Sequence, residues 1–453
     1  MAVPSQSLPF DPADPKAALS QLPQSAAVFA LYGAEAHAEP YIGRTPNLRG
    51  RLERLLQPSP KHPRRLQLAG RVRRIAWQLT GSEFESLLLQ FEQLEGVYGT
   101  KCLERMHLRS PAFVRFLGSN QYPRITVTHR PSQREADWSY GPFQSRAAAE
   151  RFADEALKLF LLRRCTDDLD PNPSHPGCVY SEMKMCLAPC YKGCSNERYS
   201  EEAAAVESFL ATRGDSRLVV LRAQRDQASA NLEFESAAAL HAEVQRVEVV
   251  RSLAAELVRP LSQLRALILQ PSVHPDEVAV FLFEDGRLRG PAAFSTLGMR
   301  IQNEQAGSTS LFAQPIAIEP VFEETVNSHP SEPTPLAGGA GGEQGTWIRE
   351  GEAAAEPRPG GTSEAGVAGP AKIPRGMLET RMEAALAELD EASTTPSSTL
   401  RQGHLALLKH WYYRPEARRI GEIFFPGSEG RWPIKSILRG VGRVFSSRFK
   451  RPT

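Results

Sequence analysis

The chain has 453 residues, with 54 Lys and Arg against 52 Asp and Glu, which leaves a net charge of only +2. This length predicts two to four domains. No run of about 18 apolar residues occurs, which argues against a transmembrane helix, and the amino terminus lacks the basic-then-apolar order of a secretory signal. We therefore expect a cytoplasmic protein without a membrane partner, whose six cysteines need an explanation other than disulfides.

Positive charge is concentrated in one early stretch of the chain. Between Gly43 and Arg74, ten Lys or Arg residues stand against a single acid, Glu53. Such a block suits a phosphate backbone, although a solvated basic face gives the same pattern. On the first interpretation, four of these arginines are candidate DNA contacts: Arg49, Arg54, Arg64 and Arg65.

Residues 1–24 are rich in Pro, Ser and Ala and are expected to be a flexible lead-in. Residues 25–130 are expected to form the first compact domain. It opens with two short β-prone runs, over residues 28–32 and 40–44, which predict a strand pair. A helix should follow, because leucines recur there at helical spacing, and Arg51 falls at the border of that apolar face. These leucines are Leu48, Leu52, Leu55 and Leu56.

A further amphipathic helix is predicted downstream of this first helix. Its apolar stripe is formed by Phe84, Leu87, Leu88, Phe91 and Leu94. It contains the run Glu85-Ser-Leu-Leu-Leu-Gln90.

Together, these elements resemble the GIY-YIG nuclease domain of the UvrC/Cho excinuclease family. The run Tyr41-Ile-Gly-Arg44 matches the second family motif, with Arg44 where the family usually has Lys, and Arg51 matches the family arginine. The resemblance implies a small three-stranded sheet with helices. It also implies that Tyr41 orients the attacking water while Arg51, assisted by Arg44, stabilises the phosphate.

Two positions depart from the family pattern. Phe29 stands where the first motif has its tyrosine, and Gln90 stands where the family has the glutamate that holds a divalent metal. Tyr32, three residues later, would supply a tyrosine. On a strand, however, it faces the opposite side from Phe29, because side chains alternate. An amide is a weaker ligand than a carboxylate for Mg²⁺, so binding of Mg²⁺ or Mn²⁺ at Gln90 is an open question.

The most specific chemical pattern is a group of five cysteines within thirty residues. The first four, Cys165, Cys178, Cys186 and Cys190, are separated by 12, 7 and 3 residues. Four thiolates can hold either zinc or an iron–sulfur cluster, and this spacing does not separate the two. The run from Cys178 to Cys190 resembles the cysteine motif of the same family. That resemblance implies a [4Fe–4S] cluster, with zinc as the alternative, in a connector and cysteine module over residues 131–198.

Residues 199–255 are predicted to form a helical hairpin. Residues 231–240 resemble the UVR motif of the same family, although His241-Ala242 replaces its usual Arg-Asp. In the family this hairpin contacts the helicase subunit UvrB. The resemblance therefore implies a UvrB-like partner, whereas an ordinary antiparallel hairpin would show the same helical pattern. The implied contact residues are Phe234, Glu235, Ala237 and Ala238.

Three segments follow. Residues 256–327 should contain a β-hairpin that turns at Asp285-Gly286. Residues 328–372 are rich in Gly and Pro, which predicts a disordered linker. Residues 373–453 should form a basic, largely helical segment, with Arg439 and Arg443 on one stripe of a helix as candidate DNA contacts. A solvated terminal helix is the alternative.

The sequence therefore predicts an α+β protein of nucleotide excision repair that binds damaged double-stranded DNA and a UvrB-like helicase subunit. The family resemblance implies incision of a phosphodiester on the 3′ side of a lesion. Phe29 and Gln90 favour the alternative, a degenerate GIY-YIG scaffold that binds DNA or UvrB without cutting.

Overall fold

A computed structural model of the chain describes residues 5–35, 38–56, 68, 70–166, 169–297, 299, 375–390, 396–427 and 430–447. These residues form three four-stranded antiparallel sheets with helices packed on them, so the α+β class is confirmed. The linker predicted at 328–372 and the candidate DNA contacts Arg64 and Arg65 lie outside the described residues.

The first sheet has the strand order β1-β4-β2-β3. Its elements in chain order are β1 (Gln6–Pro9), α1 (Pro15–Ser20), β2 (Ala27–Tyr32), β3 (Tyr41–Thr45), α2 (Leu48–Leu56) and β4 (Arg74–Leu79). Helices α1 and α2 cover one face, where their apolar residues share a core with alternate residues of β2. This alternation is the period of two that a strand imposes.

Two expectations for this region are wrong. The sheet has four strands instead of three, because Gln6–Pro9 pairs with β4. The lead-in expected over residues 1–24 is therefore folded from Gln6 onward. Its apolar residues Phe10, Leu19 and Leu22 lie among Pro and Ser in the sequence but are buried against α2.

Helix α3 (Glu83–Tyr98) follows the first sheet, and the short α4 (Cys102–Arg105) comes next. The Ser82 side chain caps α3 by accepting a hydrogen bond from the Glu85 amide, 3.1 Å away.

The second sheet has the order β6-β5-β7-β8. Its strands are β5 (Ala112–Phe116), β6 (Ile125–Thr128), β7 (Ser139–Phe143) and β8 (Arg259–Pro260), and α5 (Arg146–Leu157) packs on it. The domain boundary expected at residue 130 therefore moves, because β5 and β6 pair with β7 and not with the first sheet.

After the one-turn α6 (Val179–Glu182), three helices occupy the segment 199–255 in which a hairpin was expected. They are α7 (Asn196–Ala211), α8 (Asp215–Ala230) and α9 (Phe234–Ser252). Helices α8 and α9 form the hairpin, and the chain turns at Leu232, whose φ is +61°.

The third sheet joins two segments that the sequence analysis kept apart. It has the order β11-β10-β9-β12, from β9 (Ala266–Pro271), β10 (Glu277–Glu284), β11 (Arg287–Ser295) and β12 (Glu422–Phe424). Helices α10 (Arg375–Asp390), α11 (Ser398–Tyr412) and α12 (Ile434–Ser447) pack in the same region. The hairpin turn at Asp285-Gly286 is confirmed. The separation of 256–327 from 373–453 is wrong, because β12 adds to the outer edge of β9.

Helix α3 is common to the first and third regions. Phe84 and Phe91 of α3 share one core with Phe281 of β10 and Trp411 of α11. The Phe84 ring lies 5.2 Å from the Phe281 ring and 5.4 Å from the Trp411 ring. Strand β10 and helix α11 are therefore packed on the helix that also contacts β3. None of the helices in the described ranges is long and apolar enough to cross a membrane.

The close contact between α3 and α11 predicts that any side chain larger than that of glycine at position 403 destabilises the protein. A Cβ added there would lie 2.0 Å from Cζ of Phe91, whose ring is fully buried. Gly403→Ala should lower the free energy of unfolding by about 1–3 kcal/mol through overpacking. Urea unfolding measures this change.

The matched control is Gly442→Ala in α12, where nothing lies within 4 Å of the added Cβ. That control should gain up to about 1 kcal/mol from helix propensity. Equal changes in both variants would contradict the close packing.

Candidate functional site

The β2–β3 pair places two of the predicted site residues side by side. Phe29 lies opposite Gly43, and its ring centroid is 6.1 Å from that of Tyr41. The Phe29 ring is 1% exposed and covers Gly43 so closely that a Cβ there would lie 2.8 Å from its Cζ. A glycine is therefore needed at position 43. Phe29 has no hydroxyl to offer at this point.

Tyr32 does not replace the missing hydroxyl. It belongs to the same strand as Phe29 but is three residues away, so its side chain points to the other face. The Arg74 guanidinium lies over its ring, 4.1 Å from the ring centroid. Tyr32 is therefore held in a cation–π contact, remote from the Phe29–Tyr41 pair.

Helix α2 carries three of the candidate arginines, and they have different surroundings. Arg49 donates from Nε to the Leu22 carbonyl at 2.6 Å and from Nη2 to the Ser20 carbonyl at 2.8 Å. These hydrogen bonds attach the Arg49 guanidinium to the carboxyl end of α1. Arg54 is exposed and donates to the Gly50 carbonyl of its own helix. Arg51 is half-buried, and within the described ranges its side chain has no hydrogen bond or ion pair.

Arg44 lies on the opposite face of the first sheet from Tyr41. Tyr41 packs with Phe29 on the side of α1 and α2. Arg44 instead reaches α3, where its Nη1 is 3.2 Å from the Glu83 carboxylate. The expected catalytic group is therefore divided between two faces, because residues 41 and 44 differ by an odd number of positions on one strand.

Glu83 is the centre of a charged cluster on the α3 face. Arg414, which follows α11, donates to both of its oxygens, at 2.7 and 2.9 Å. The hydrogen bond from Arg414 is the largest cause that lowers the Glu83 pKa, and Arg44 adds to it, so the pKa falls to about 2. Glu83 is thus ionised and engaged by two guanidinium groups at neutral pH.

Gln90 lies further along α3 and is half-buried. Two other carboxyl groups of this helix are poor substitutes for the family glutamate. Glu85 is buried and accepts a hydrogen bond from the Gly81 amide at 2.8 Å. Burial raises the pKa of Glu85 and of Glu92 to about 7. Neither group is therefore a fully ionised, open metal ligand at neutral pH.

The four predicted cysteine ligands lie in one neighbourhood. Burial raises the pKa of the Cys186 thiol, and the nearby thiols of Cys178, Cys190 and Cys165 raise it further. Arg163, which is buried, donates from Nη1 to Sγ of Cys165 at 3.7 Å. The donor chemistry fits zinc or an iron–sulfur cluster. Among the residues with described positions, however, no three Cys, His, Asp or Glu side chains are arranged to hold a metal ion. The cluster therefore stays a prediction.

Comparison with known proteins matches the middle of the chain to one family. Residues 113–209, which run from β5 to α7, match the family model described as the UvrC/Cho excinuclease middle domain. The UvrABC system protein C of Alcanivorax borkumensis is 29% identical over 238 residues, covering 52% of this chain and 39% of that protein. This chain is similar to UvrC.

Other UvrC proteins give the same result. The protein of Pseudomonas protegens is 28% identical over 52% of this chain and 38% of its own length. That of Ruminiclostridium cellulolyticum is 27% identical over 61% of this chain and 45% of its own length. The chain thus spans about two fifths of the length of the first of these curated relatives. No solved structure matches it. The resemblance inferred from the sequence is confirmed.

The residues that resemble the UvrC UVR motif lie at the tip of the α8–α9 hairpin. Leu232 and Phe234 are 70% and 66% exposed. Glu235 and Ala238 are also exposed, and Ala237 is half-buried. The tip therefore presents an apolar pair to solvent.

The two C-terminal candidates, Arg439 and Arg443, lie on α12. Arg443 makes a two-pronged ion pair with Glu422 of β12, with both distances at 2.6 Å. Its charge is therefore largely used within the third sheet. Arg439 is exposed, one turn earlier on the helix.

Sequence reasoning missed Arg414 in this UvrC-like chain. It lies 331 residues from Glu83, and no local pattern links the two. The aromatic run before it, at the end of α11, gives no signal of an ion pair.

The low pKa of Glu83 predicts how stability depends on pH. A carboxyl whose pKa falls on folding contributes stability above its unfolded value of 4.5, and this contribution is lost as the pH falls toward about 2. Glu83→Gln should therefore destabilise the protein at pH 7 and have a shrinking effect below pH 4.5. Urea unfolding at a series of pH values measures this difference. Glu388→Gln, on the exposed side of α10, should show no such trend. An effect of Glu83→Gln that does not change with pH would contradict the assignment.

Proposed function

We propose that this chain acts in nucleotide excision repair as a DNA-binding protein built on a UvrC-like nuclease scaffold, and that it does not itself cut a phosphodiester bond. The similarity to UvrC supports the repair role. The single observation that supports the absence of cutting is Phe29. It stands at the family tyrosine position, and its ring is 1% exposed beside Tyr41.

Hydrolysis of a phosphodiester requires a chemical group that Phe29 lacks. Attack on a phosphodiester needs a group that positions or deprotonates water and positive charge that stabilises the developing oxyanion. In the GIY-YIG family, tyrosine hydroxyls and one metal ion meet part of this need. Phe29 cannot accept a proton, and the amide of Gln90 is a weak ligand for Mg²⁺ or Mn²⁺. Tyr41 and Arg51 remain, which is a partial set.

Binding of double-stranded DNA needs only the positive charge. Of the candidate DNA contacts, Arg54 and Arg439 have no acidic partner within the described residues, and neither has Arg51, the predicted catalytic arginine. Arg49 and Arg443 are held by the protein itself. Contacts of this kind bind phosphate without reading sequence, and their strength falls with salt. We therefore assign damaged duplex recognition to the complex with a partner, and backbone binding to this chain.

The partner in this proposal is a UvrB-like helicase subunit, bound at the hairpin tip. The exposed side chains of Leu232 and Phe234 support this assignment, because an exposed aromatic anchor beside a charged residue is typical of an interface. The loss of the motif's usual Arg-Asp at His241-Ala242 predicts a weaker contact than in the family.

The cysteine module is proposed to hold a [4Fe–4S] cluster, with zinc as the alternative, through Cys165, Cys178, Cys186 and Cys190. Such a group would tie together a segment that has little regular structure, since its described residues between 165 and 195 form only short helices. The buried Arg163 would donate a hydrogen bond to the Cys165 sulfur in that state.

Incision on the 3′ side of a lesion is the second candidate function. It is favoured by Tyr41 and by the half-buried Arg51, whose side chain has no internal partner among the described residues.

The proposed repair role predicts recruitment to a damaged duplex loaded with UvrA, UvrB and ATP. The chain should join this complex, and Phe234→Ala should weaken its association by about tenfold, as expected for a central aromatic anchor. A mobility or sedimentation assay with a labelled chain measures the association.

The matched control is Val249→Ala, which removes a 63% exposed side chain from the same hairpin away from its tip. It should bind as the wild type does. A wild-type chain that joins neither the free duplex nor the UvrB complex would overturn the proposal.

A further inference from the structure

The cluster on the α3 face contains more positive charge than its internal carboxylate neutralises. Arg44 and Arg414 both bind Glu83, so two guanidinium charges meet one carboxylate. Lys409 lies close enough to act electrostatically on the same neighbourhood. At neutral pH the cluster therefore has an excess of positive charge.

His410 holds Arg414 in position. The Arg414 Nη2 lies 2.9 Å from Nε2 of His410, and an arginine can only donate, so the histidine nitrogen accepts. Burial first, and then the charge of Arg414, lower the pKa of His410. His410 is thus neutral at pH 7 and adds no positive charge of its own.

The cluster is open to solvent. The Glu83 side chain is 42% exposed, Arg44 is 36% exposed and Arg414 is 23% exposed. A planar guanidinium that grips two oxygens of a carboxylate can grip two oxygens of a phosphate in the same way. Glu83 also lies in the first turn of α3, where the helix end favours a negative group.

We propose that Arg44 and Arg414 form a binding site for one phosphate group, and that the Glu83 carboxylate occupies this site until a phosphate displaces it. The expected source is the backbone of a DNA duplex, so this assignment rests on the proposed DNA-binding function. Free inorganic phosphate has the same chemistry and is the alternative source. The site would supply, from arginine side chains of two distant segments, positive charge beside the strand that carries Tyr41.

The site predicts opposite effects for its two kinds of residue. Arg414→Gln should weaken binding of an undamaged 20-base-pair duplex and reduce the slope of log affinity against log salt by about 0.9, the value for one lost phosphate contact. Glu83→Gln should tighten duplex binding, because the competing carboxylate is gone. Fluorescence anisotropy at several salt concentrations measures both changes. A gain of binding cannot arise from misfolding.

The control for net charge is Glu248→Gln. It removes an acid from an exposed ion pair with Arg222 on the α8–α9 hairpin, away from the cluster. It should change duplex affinity less than Glu83→Gln does. Equal gains in both variants, or no change in Glu83→Gln and Arg414→Gln, would overturn the site.

A second arm separates the site from the proposed function. Inorganic phosphate, compared with chloride at equal ionic strength, should raise the thermal unfolding midpoint of the wild type more than that of Arg414→Gln. If the wild type fails to bind duplex but shows this phosphate effect, the DNA-binding function fails and the phosphate site stands. If the duplex binds and neither Arg414→Gln nor Glu83→Gln alters binding or the phosphate effect, the function stands and the site fails.

Discussion

The structure depends most on the burial of α3 between two sets of partners. Its apolar stripe enters one core with β10 and α11, while the helix also contacts β3 of the first sheet. The glycine at position 403 lets α11 approach the Phe91 ring, and the ion pair from Arg414 to Glu83 lies beside the same contact. The 16-residue helix that follows the first sheet thus supports residues that come more than 300 positions later. This packing places Arg414 beside Arg44.

The packing of α3 also determines which side chains meet on each face of the candidate site. On one face of the first sheet, Phe29 and Tyr41 form an aromatic pair that shares a core with α2. On the other face, Arg44 and Arg414 converge on Glu83. Phe29 on the first face has no hydroxyl, and α3 carries an amide at Gln90. The second face has two guanidinium groups, from Arg44 and Arg414. Under the proposed function, arginines provide the positive charge for a phosphate, and this arrangement suits binding better than water activation.

Local patterns predicted local structure well. The strand pair, the leucine stripe of α2 and the turn at Asp285-Gly286 follow from spacing, and alternation correctly placed Tyr32 away from Phe29. Pairings between distant segments could not be read in this way. The edge positions of β1 and β12 depend on which sheet edge each segment meets, and neither has a strong strand pattern of its own. The carbonyl hydrogen bonds of Arg49 and the ion pair of Arg443 engage two of the DNA-binding candidates within the protein. These contacts follow no sequence periodicity, so only the fold shows them.

The most direct test of the central claim is an incision assay on an end-labelled damaged duplex with UvrA, UvrB, ATP and either Mg²⁺ or Mn²⁺. A complete UvrC relative serves as the positive control, and Arg51→Ala serves as the site control. We predict that the positive control cuts, while this chain joins the complex and leaves the duplex intact. A lesion-dependent cut by the wild type that disappears in Arg51→Ala would contradict the account, because it would mean that the site works with Phe29 and Gln90 in place.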